Sequence, residues 1–335
     1  VDITTVADDL IVAHDGLDVI RLTSLEPDMS YRVGRDDTEV VVRTLPRPPG
    51  ALLCRFGTVN DVHFGELEAG RIDDDPGGPI QRVAEHEAPY PETMNRGAAA
   101  EMAAAGLAAV IVKGDLSVDG RPHEWAAFEA CYREPFGDRL HVVRGNHDSY
   151  QGQNRYAGDQ WIDLPGVSVA LLDTVQPGVT NGSLRLEQLT WLDALAAGAD
   201  RPVMVMGHHQ QWLGRNRSDD YFGLLPDASE ALETVVARQP NIVAYTAGHT
   251  HRHRVRPMSC GVPSVEVGCV KDFPGTWAEY RVYEGGITQV VHRISTPTAL
   301  EWSQRCRHLY IDFGVDYETY ALGRLEDRCF NIPLR

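Results

Sequence analysis

No two cysteines of this chain form a Cys-x-x-Cys pair; the six stand apart at 54, 131, 260, 269, 306 and 329. That spacing argues against a structural zinc ribbon. Cys54 falls in an apolar run and reads as a buried thiol. Cys260 with Cys269, flanking a hairpin, and Cys306 with Cys329, in the C-terminal stretch, are near enough in sequence to pair. Free thiols are nevertheless the expectation, as in a cytoplasmic protein, and the cytoplasm is the location expected here. The chain also lacks an apolar run of roughly the 18 residues that a membrane-crossing helix needs, and it has no signal-peptide pattern. It opens on Val1 rather than Met, so the start carries no information about a removed leader. Positive charge is scarce: 31 Lys+Arg against 48 Asp+Glu leave a net charge of −17. Such a surface repels a phosphate backbone, which argues against long nucleic acid as a partner but still admits a small anion drawn to a local metal charge.

What the chain does have is enough apolar sequence, 43% of 335 residues, for one large domain or two smaller ones. Three stretches differ in texture. Residues 1–50 hold short β-type runs (18–22, 31–33, 39–43) and end in Pro46-Arg47-Pro48-Pro49-Gly50, punctuation that marks a boundary. The phrases Leu25 to Val33 and Val42 to Pro46 resemble the closing strands of a fibronectin-type-III module, in about half the roughly 100 residues of a whole sandwich. A small β-appendage is expected there. Residues 51–295 alternate strand and helix, with strands expected at 52–59, 109–113, 140–143, 168–172, 202–206, 241–245, 263–268, 278–283 and 287–293. Helices are expected at 95–107, 123–131, 184–195 and 229–238. Residues 64–93, rich in Gly, Pro and acid (Asp73-Asp74-Asp75-Pro76-Gly77-Gly78), read as a long loop, either a lid or plain surface. Residues 296–335 carry Trp302, Tyr310, Phe313, Tyr317, Tyr320 and Phe330. That aromatic load argues for packing on the core or on a second subunit, the latter giving a homo-oligomer.

Five of the apolar strands end in polar clusters: Asp61 and His63; Asp115; Asn146 and His147; His208 and His209; His249 and His251. Strands of one sheet would bring these ends to one edge, where ligand sites collect. Residues two apart beyond an extended strand share a face and can grip one ion. Imidazole nitrogen and carboxylate oxygen without thiolate suit Mn, Fe or Zn rather than Ca. Asp61, His63, Asp115, Asn146, His208, His249 and His251 are too many for one ion and about right for two, if one carboxylate bridges and water completes the shells. Paired ions roughly 3.5–4 Å apart activate water and stabilise an in-line displacement at phosphorus. Any single histidine is more often a structural residue; the convergence of so many is what argues for a metal site. His209 reads either as a substrate contact or as a brace for His208. Asp148 reads as a loop brace, Arg144 as an ion-pair residue, and His141 and His253 as structural. Asp219 and Tyr221, with Asp220 and Phe222, lie on the loop after the double histidine and are candidates for a substrate wall.

Asp61-x-His63, Gly114-Asp115, Gly145-Asn146-His147-Asp148, Gly207-His208-His209 and Gly248-His249-Thr250-His251 resemble, in order, the motifs of calcineurin-like metallophosphoesterases, over about residues 54 to 255. The resemblance implies an α/β (α+β) fold in which two β-sheets form a sandwich flanked by helices, here with the small N-terminal β-appendage and the aromatic-rich C-terminal tail. It implies Asp61, His63 and His251 on a first metal, Asn146, His208 and His249 on a second, Asp115 bridging, and His147 beside the scissile phosphate. The run Gly114-Asp115-Leu116-Ser117-Val118-Asp119-Gly120 resembles the branch holding bacterial cyclic-nucleotide phosphodiesterases and glycerophosphodiesterases. It lacks the Gly-Asp-x-x-Asp-Arg-Gly of protein serine/threonine phosphatases and the tyrosine ligand of purple acid phosphatases. Gln210-Gln211-Trp212 stand where the branch usually has prolines, so the substrate wall there differs. The implied function is a phosphodiesterase that uses two divalent or trivalent ions on small diesters. His147, left free once seven residues ligate, would be the general acid, a role imidazole chemistry suits. The alternatives are a phosphomonoesterase or nuclease of the same fold, and a binding protein without catalysis.

Overall fold

Alternation along the strands decides the layering. In Val110–Lys113, Val110 and Val112 face one core and Ile111 another; in Val203–Met206, Val203 and Val205 face a third core while Met204 and Met206 meet Ile111 in the second. Strands apolar on both faces can only lie between two covering layers. The chain, described here by a computed structural model over residues 1–335 except 36–38, 73, 74, 76 and 215, is accordingly a sandwich of two six-stranded mixed sheets with helices outside each. The first sheet runs Leu140–Val143, Val110–Lys113, Leu52–Val59, Thr276–Tyr283, Gly286–Arg293, Phe330–Pro333, its first three strands parallel. The second runs Gln160–Leu164, Val167–Leu171, Val203–Met206, Ile242–Ala247, Pro263–Glu266, Arg254–Pro257, with its four middle strands parallel. Phe56, Val169, Leu171, Tyr280, Val282 and Val291 fill the space between the sheets.

The helices Tyr90–Ala104 and Pro122–Phe136 cover the outer face of the first sheet, and Leu186–Gly198 and Pro226–Arg238 that of the second. The helix expected at 95–107 begins five residues earlier. Pro91 falls in its first turn, where a missing N–H leaves no bond unmade.

The first fifty residues form a three-stranded antiparallel sheet (Asp2–Val6, Leu10–Asp15, Asp18–Thr23) and a hairpin (Ser30–Val33, Val40–Arg43). Ile11 and Val12 pack on Val290 and Cys329, and the Thr5 hydroxyl donates to the Val291 carbonyl at 2.7 Å. The C-terminal stretch is woven into the same body. Trp302 stacks on Tyr90 at 4.4 Å, and Phe330–Pro333 pairs antiparallel with Gly286–Arg293 as the edge of the first sheet. The 64–93 loop is tied to that stretch too: the Asp312 N–H donates to the Gly78 carbonyl at 3.1 Å, and Arg305 donates to the Arg82 carbonyl at 2.7 Å. Asp73, Asp74 and Pro76 of its acidic run lie outside the described residues. All six cysteines are free thiols. Among the described residues, no helix is long and apolar enough to cross a membrane.

Candidate metal centre

The five polar strand ends do converge, but from both sheets rather than along one edge. Leu52–Val59, Val110–Lys113 and Leu140–Val143 of the first sheet deliver Asp61, His63, Asp115, Asn146 and His147; Val203–Met206 and Ile242–Ala247 of the second deliver His208, His249 and His251. Extended-strand periodicity does not aim these side chains either. Asp61, His63, Asp115, His249 and His251 all sit in the left-handed region, with φ of 54°, 49°, 49°, 68° and 53°. Each such residue costs on the order of 1–3 kcal/mol and persists only where the surroundings enforce it. Asp and His bear this conformation better than branched or bulky residues do. The glycines of the motifs serve close approach: a Cβ on Gly145 would collide with the Asp115 carboxylate, and one on Gly114 with the His208 ring.

Ligand atoms of Asp61, His63 and His251 lie within 4.8 Å of one another, as do those of Asp61, Asp115 and His208. Asp115 stands between the two sides, its Oδ2 3.5 Å from His63 Nε2 and 3.3 Å from His208 Nε2. His208 Nδ1 donates to the Lys113 carbonyl at 2.9 Å, which leaves Nε2 facing Asn146 Oδ1 at 3.0 Å and His249 Nδ1 at 3.2 Å. His249 Nε2 donates to the Phe222 carbonyl at 2.8 Å, so its Nδ1 is the nitrogen turned toward His208 and the other donors. Backbone carbonyls thus fix the tautomer of both rings, as is usual for metal-ligating histidines. His63 is 3% exposed, and among the described residues neither ring nitrogen has a hydrogen-bond partner, with Glu66 Oε2 3.6 Å from Nδ1 and Asp115 Oδ2 3.5 Å from Nε2. An unpaired buried imidazole is costly unless something else takes its lone pair.

Electrostatics separate the rings. Burial, helped by Lys271 and His147, drives the His63 ring well below the usual histidine range. Burial and neighbouring His208 push His249 down to about 3. These rings stay neutral, as ligation requires. Burial also opposes charge on His208, but Asp115 and Asp61 outweigh it and lift that ring to about 9. For Asp115 burial would raise the carboxyl, yet His208 and His147 hold it well below its ordinary value. An oxygen-and-imidazole donor set, with one carboxylate between two histidines and one unpaired buried imidazole, fits the binding of metal ions.

His147 lies at the edge of this cluster, its ring 4.7 Å from that of His63. Its Nδ1 donates to the Val118 carbonyl at 2.9 Å, leaving Nε2 open. Asp148 is fully buried and accepts from the Leu116, Ser117 and Gly145 N–H groups at 2.9, 2.9 and 2.8 Å. It ties the Asp115 loop to the Asn146 loop. His209 is also fully buried, and both nitrogens are engaged: Nδ1 with Thr174 Oγ1 at 2.8 Å and Nε2 with the Thr180 carbonyl at 3.0 Å. That is the geometry of a brace. Tyr221 takes a hydrogen bond from Gln210 at 3.2 Å, and Asp219 is exposed on the same loop. The ring of Phe222, 44% exposed, lies 5.4 Å from that of His249. Two contributors escaped the sequence. Asn60 donates to Asp61 Oδ2 at 2.6 Å, and Tyr150 accepts from Asn146 Nδ2 at 2.5 Å. The only signal for Tyr150 was its position four residues after a ligand, one helical turn away.

Two mixed sheets whose facing strand ends gather such donors define the α/β metallophosphoesterase fold. The chain belongs to the calcineurin-like phosphoesterase family, whose sequence model matches residues 54–253. It is 31% identical over 151 residues to a probable cyclic nucleotide phosphodiesterase of Synechococcus, covering 43% of this chain and 57% of that protein. It is 28% identical over 149 residues to a 3′,5′-cyclic adenosine monophosphate phosphodiesterase of Pseudomonas aeruginosa, covering 43% and 54%. The chain therefore spans little more than half the length of these relatives. The fold is similar to a dimetal phosphatase of Danio rerio (TM-score 0.55, 17% identity, 73% of this chain and 98% of that one). It is also similar to a purple acid phosphatase from yellow lupin seeds (TM-score 0.51, 14% identity, 83% and 60%).

Proposed function

We propose that this chain is a phosphodiesterase that holds two metal ions and hydrolyses small diesters, with cyclic nucleotides the first class to try. The observation that carries the reading is the convergence of seven donors from two sheets with Asp115 Oδ2 shared between His63 and His208. Asp61, His63 and His251 would hold one ion, Asn146, His208 and His249 the other, and Asp115 both. When bound, such a pair supplies Lewis acidity toward phosphoryl oxygens and lowers the pKa of water. The chain's own part is positional and protonic. With Nδ1 held by the Val118 carbonyl, His147 would turn Nε2 toward the scissile phosphate. As a water oxygen bonds to phosphorus and the bond to the departing oxygen breaks, His147 Nε2–H would give its proton to that oxygen. Asp148 and His209 hold the loops that present these groups. The relatives named as cyclic nucleotide phosphodiesterases support the diester class.

The test is a panel run on metal-depleted protein with and without added Mn: cyclic AMP, bis-p-nitrophenyl phosphate and p-nitrophenyl phosphate. Mn-dependent turnover of the two diesters above the monoester is the expected result. Faster monoester turnover would make the chain a phosphomonoesterase, and no turnover on any of the three would overturn catalysis.

A further inference from the structure

An asparagine ligand has a problem that histidine and aspartate do not share. Only its Oδ1 can hold an ion, and a half-turn of the amide replaces that oxygen with an NH2 that cannot. Something must choose the orientation. Here Asn146 Oδ1 points at His208 Nε2 (3.0 Å), while Nδ2 donates to the hydroxyl of Tyr150 at 2.5 Å. That hydroxyl is also 3.2 Å from Thr180 Oγ1, a partner that can take its proton. Either hydroxyl can be the donor of that pair; when the phenol gives its proton to Thr180, its oxygen offers Nδ2 only a lone pair. The reversed amide would set oxygen against oxygen.

The placement follows from local structure. Asn146 has helical dihedrals (φ −63°, ψ −37°) and leads into the short turn His147–Ser149. Residue i+4 therefore comes back over residue i. The Tyr150 ring also lies 4.9 Å from that of His147, so one side chain touches a ligand and its catalytic neighbour. Thr180 is anchored in turn, its carbonyl accepting from His209 Nε2 at 3.0 Å.

We propose that Tyr150, backed by Thr180, is a positioning residue that fixes the amide of Asn146 for metal binding. The proposal rests on the dinuclear reading above. Tyr150→Phe removes the hydroxyl and keeps the ring against His147. The metal-free protein should melt as the wild type does, but the weaker of its two Mn sites, titrated by calorimetry, should lose roughly tenfold or more in affinity, as loss of an outer-shell partner typically does. At two equivalents of Mn, the coupled-pair signal in electron paramagnetic resonance should give way to that of isolated ions. Excess Mn should restore kcat. Thr180→Val should move affinity the same way by less, and the double variant should be no worse than Tyr150→Phe alone. Wild-type Mn affinity and a coupled signal in Tyr150→Phe would overturn the proposal. So would an affinity loss matched by a lower melting temperature of the metal-free protein, which would make the hydroxyl a packing group. A wild type that binds fewer than two Mn fails earlier: it sinks the dinuclear reading itself, and the proposal with it.

Discussion

His147 is the residue whose neighbours say most about its role. It follows Asn146, a proposed ligand, has one nitrogen pinned by the Val118 carbonyl and keeps the other on the side of the candidate metal donors. General acids of this kind are worth about 10²–10⁴ in rate. The benefit depends on the leaving group, since an alkoxide needs a proton and a nitrophenolate scarcely does. His147→Ala is expected to retain both ions on elemental analysis and to lose far more activity on an alkyl diester than on a nitrophenyl one. Equal losses on the two would restrict the ring to electrostatic stabilisation, and lost metal would make it a ligand. At this scale the sequence was legible for chemical identity and poor for geometry. Asp61 and His249 announce themselves as donors, but their backbone lies in the left-handed region, which no side-chain alternation encodes. The roles of Asn60 and Tyr150 depend on where a neighbouring side chain points, and neither residue type is informative alone.

At the scale of elements, the strand ends work because the loops leaving them can touch. Gly145 lies against Asp115, and its missing Cβ is the space the carboxylate uses. Gly145→Ala should therefore lower both bound metal and melting temperature. Gly198→Ala, at a helix end with nothing within 4 Å, should leave the metal alone and hold or slightly raise stability, as Ala outranks Gly in a helix. Thermal melts with metal analysis check both. The two helix pairs and the central strands were readable because each carries a continuous apolar face. Phe330–Pro333 was not: four residues ending in proline have no pattern of their own, and pairing with Gly286–Arg293 makes them a strand. A chain ending at residue 296 loses that strand along with buried Trp302, Leu309, Tyr317 and Ile332. Each large side chain buried contributes about 1.5–3 kcal/mol, against a total stability of about 5–15 kcal/mol. Such a truncation should lack a cooperative melting transition; an unaltered melt would make residues 297–335 an idle extension.

Over the whole molecule, five residues in the left-handed region and an unpaired imidazole gathered in one place mean that the fold carries a local cost which ligation would offset. Chelation should therefore lower the melting temperature, and added Mn should raise it. At a hundred times Kd the linkage is worth about 2.7 kcal/mol, a shift of several degrees. A melting curve indifferent to chelator and Mn alike would mean that the donors hold no ion in solution. The sandwich as a whole was legible through the order of the motifs. How the N-terminal sheet and the C-terminal strand clasp the same edge was not, because contacts such as the Arg328 guanidinium on the Ile3 carbonyl at 2.6 Å join residues more than 300 positions apart.

That clasp has a consequence in time. The Tyr320 hydroxyl donates to the Thr250 carbonyl at 2.9 Å, between the proposed ligands His249 and His251, and the His253 N–H donates to the Ala321 carbonyl at 3.1 Å. A ribosome that has just added His251 has supplied every ligand, yet the residues that grip their loop and the strand that closes the sheet are as many as about 80 codons away. At about 5–20 residues per second that is an interval of roughly 4–16 s. Throughout it, all seven donors exist in a chain that cannot yet hold them in register. If these donors bind ions as proposed, a lasting metal site should form only after Tyr320, Ala321 and the Phe330–Pro333 strand have joined the fold.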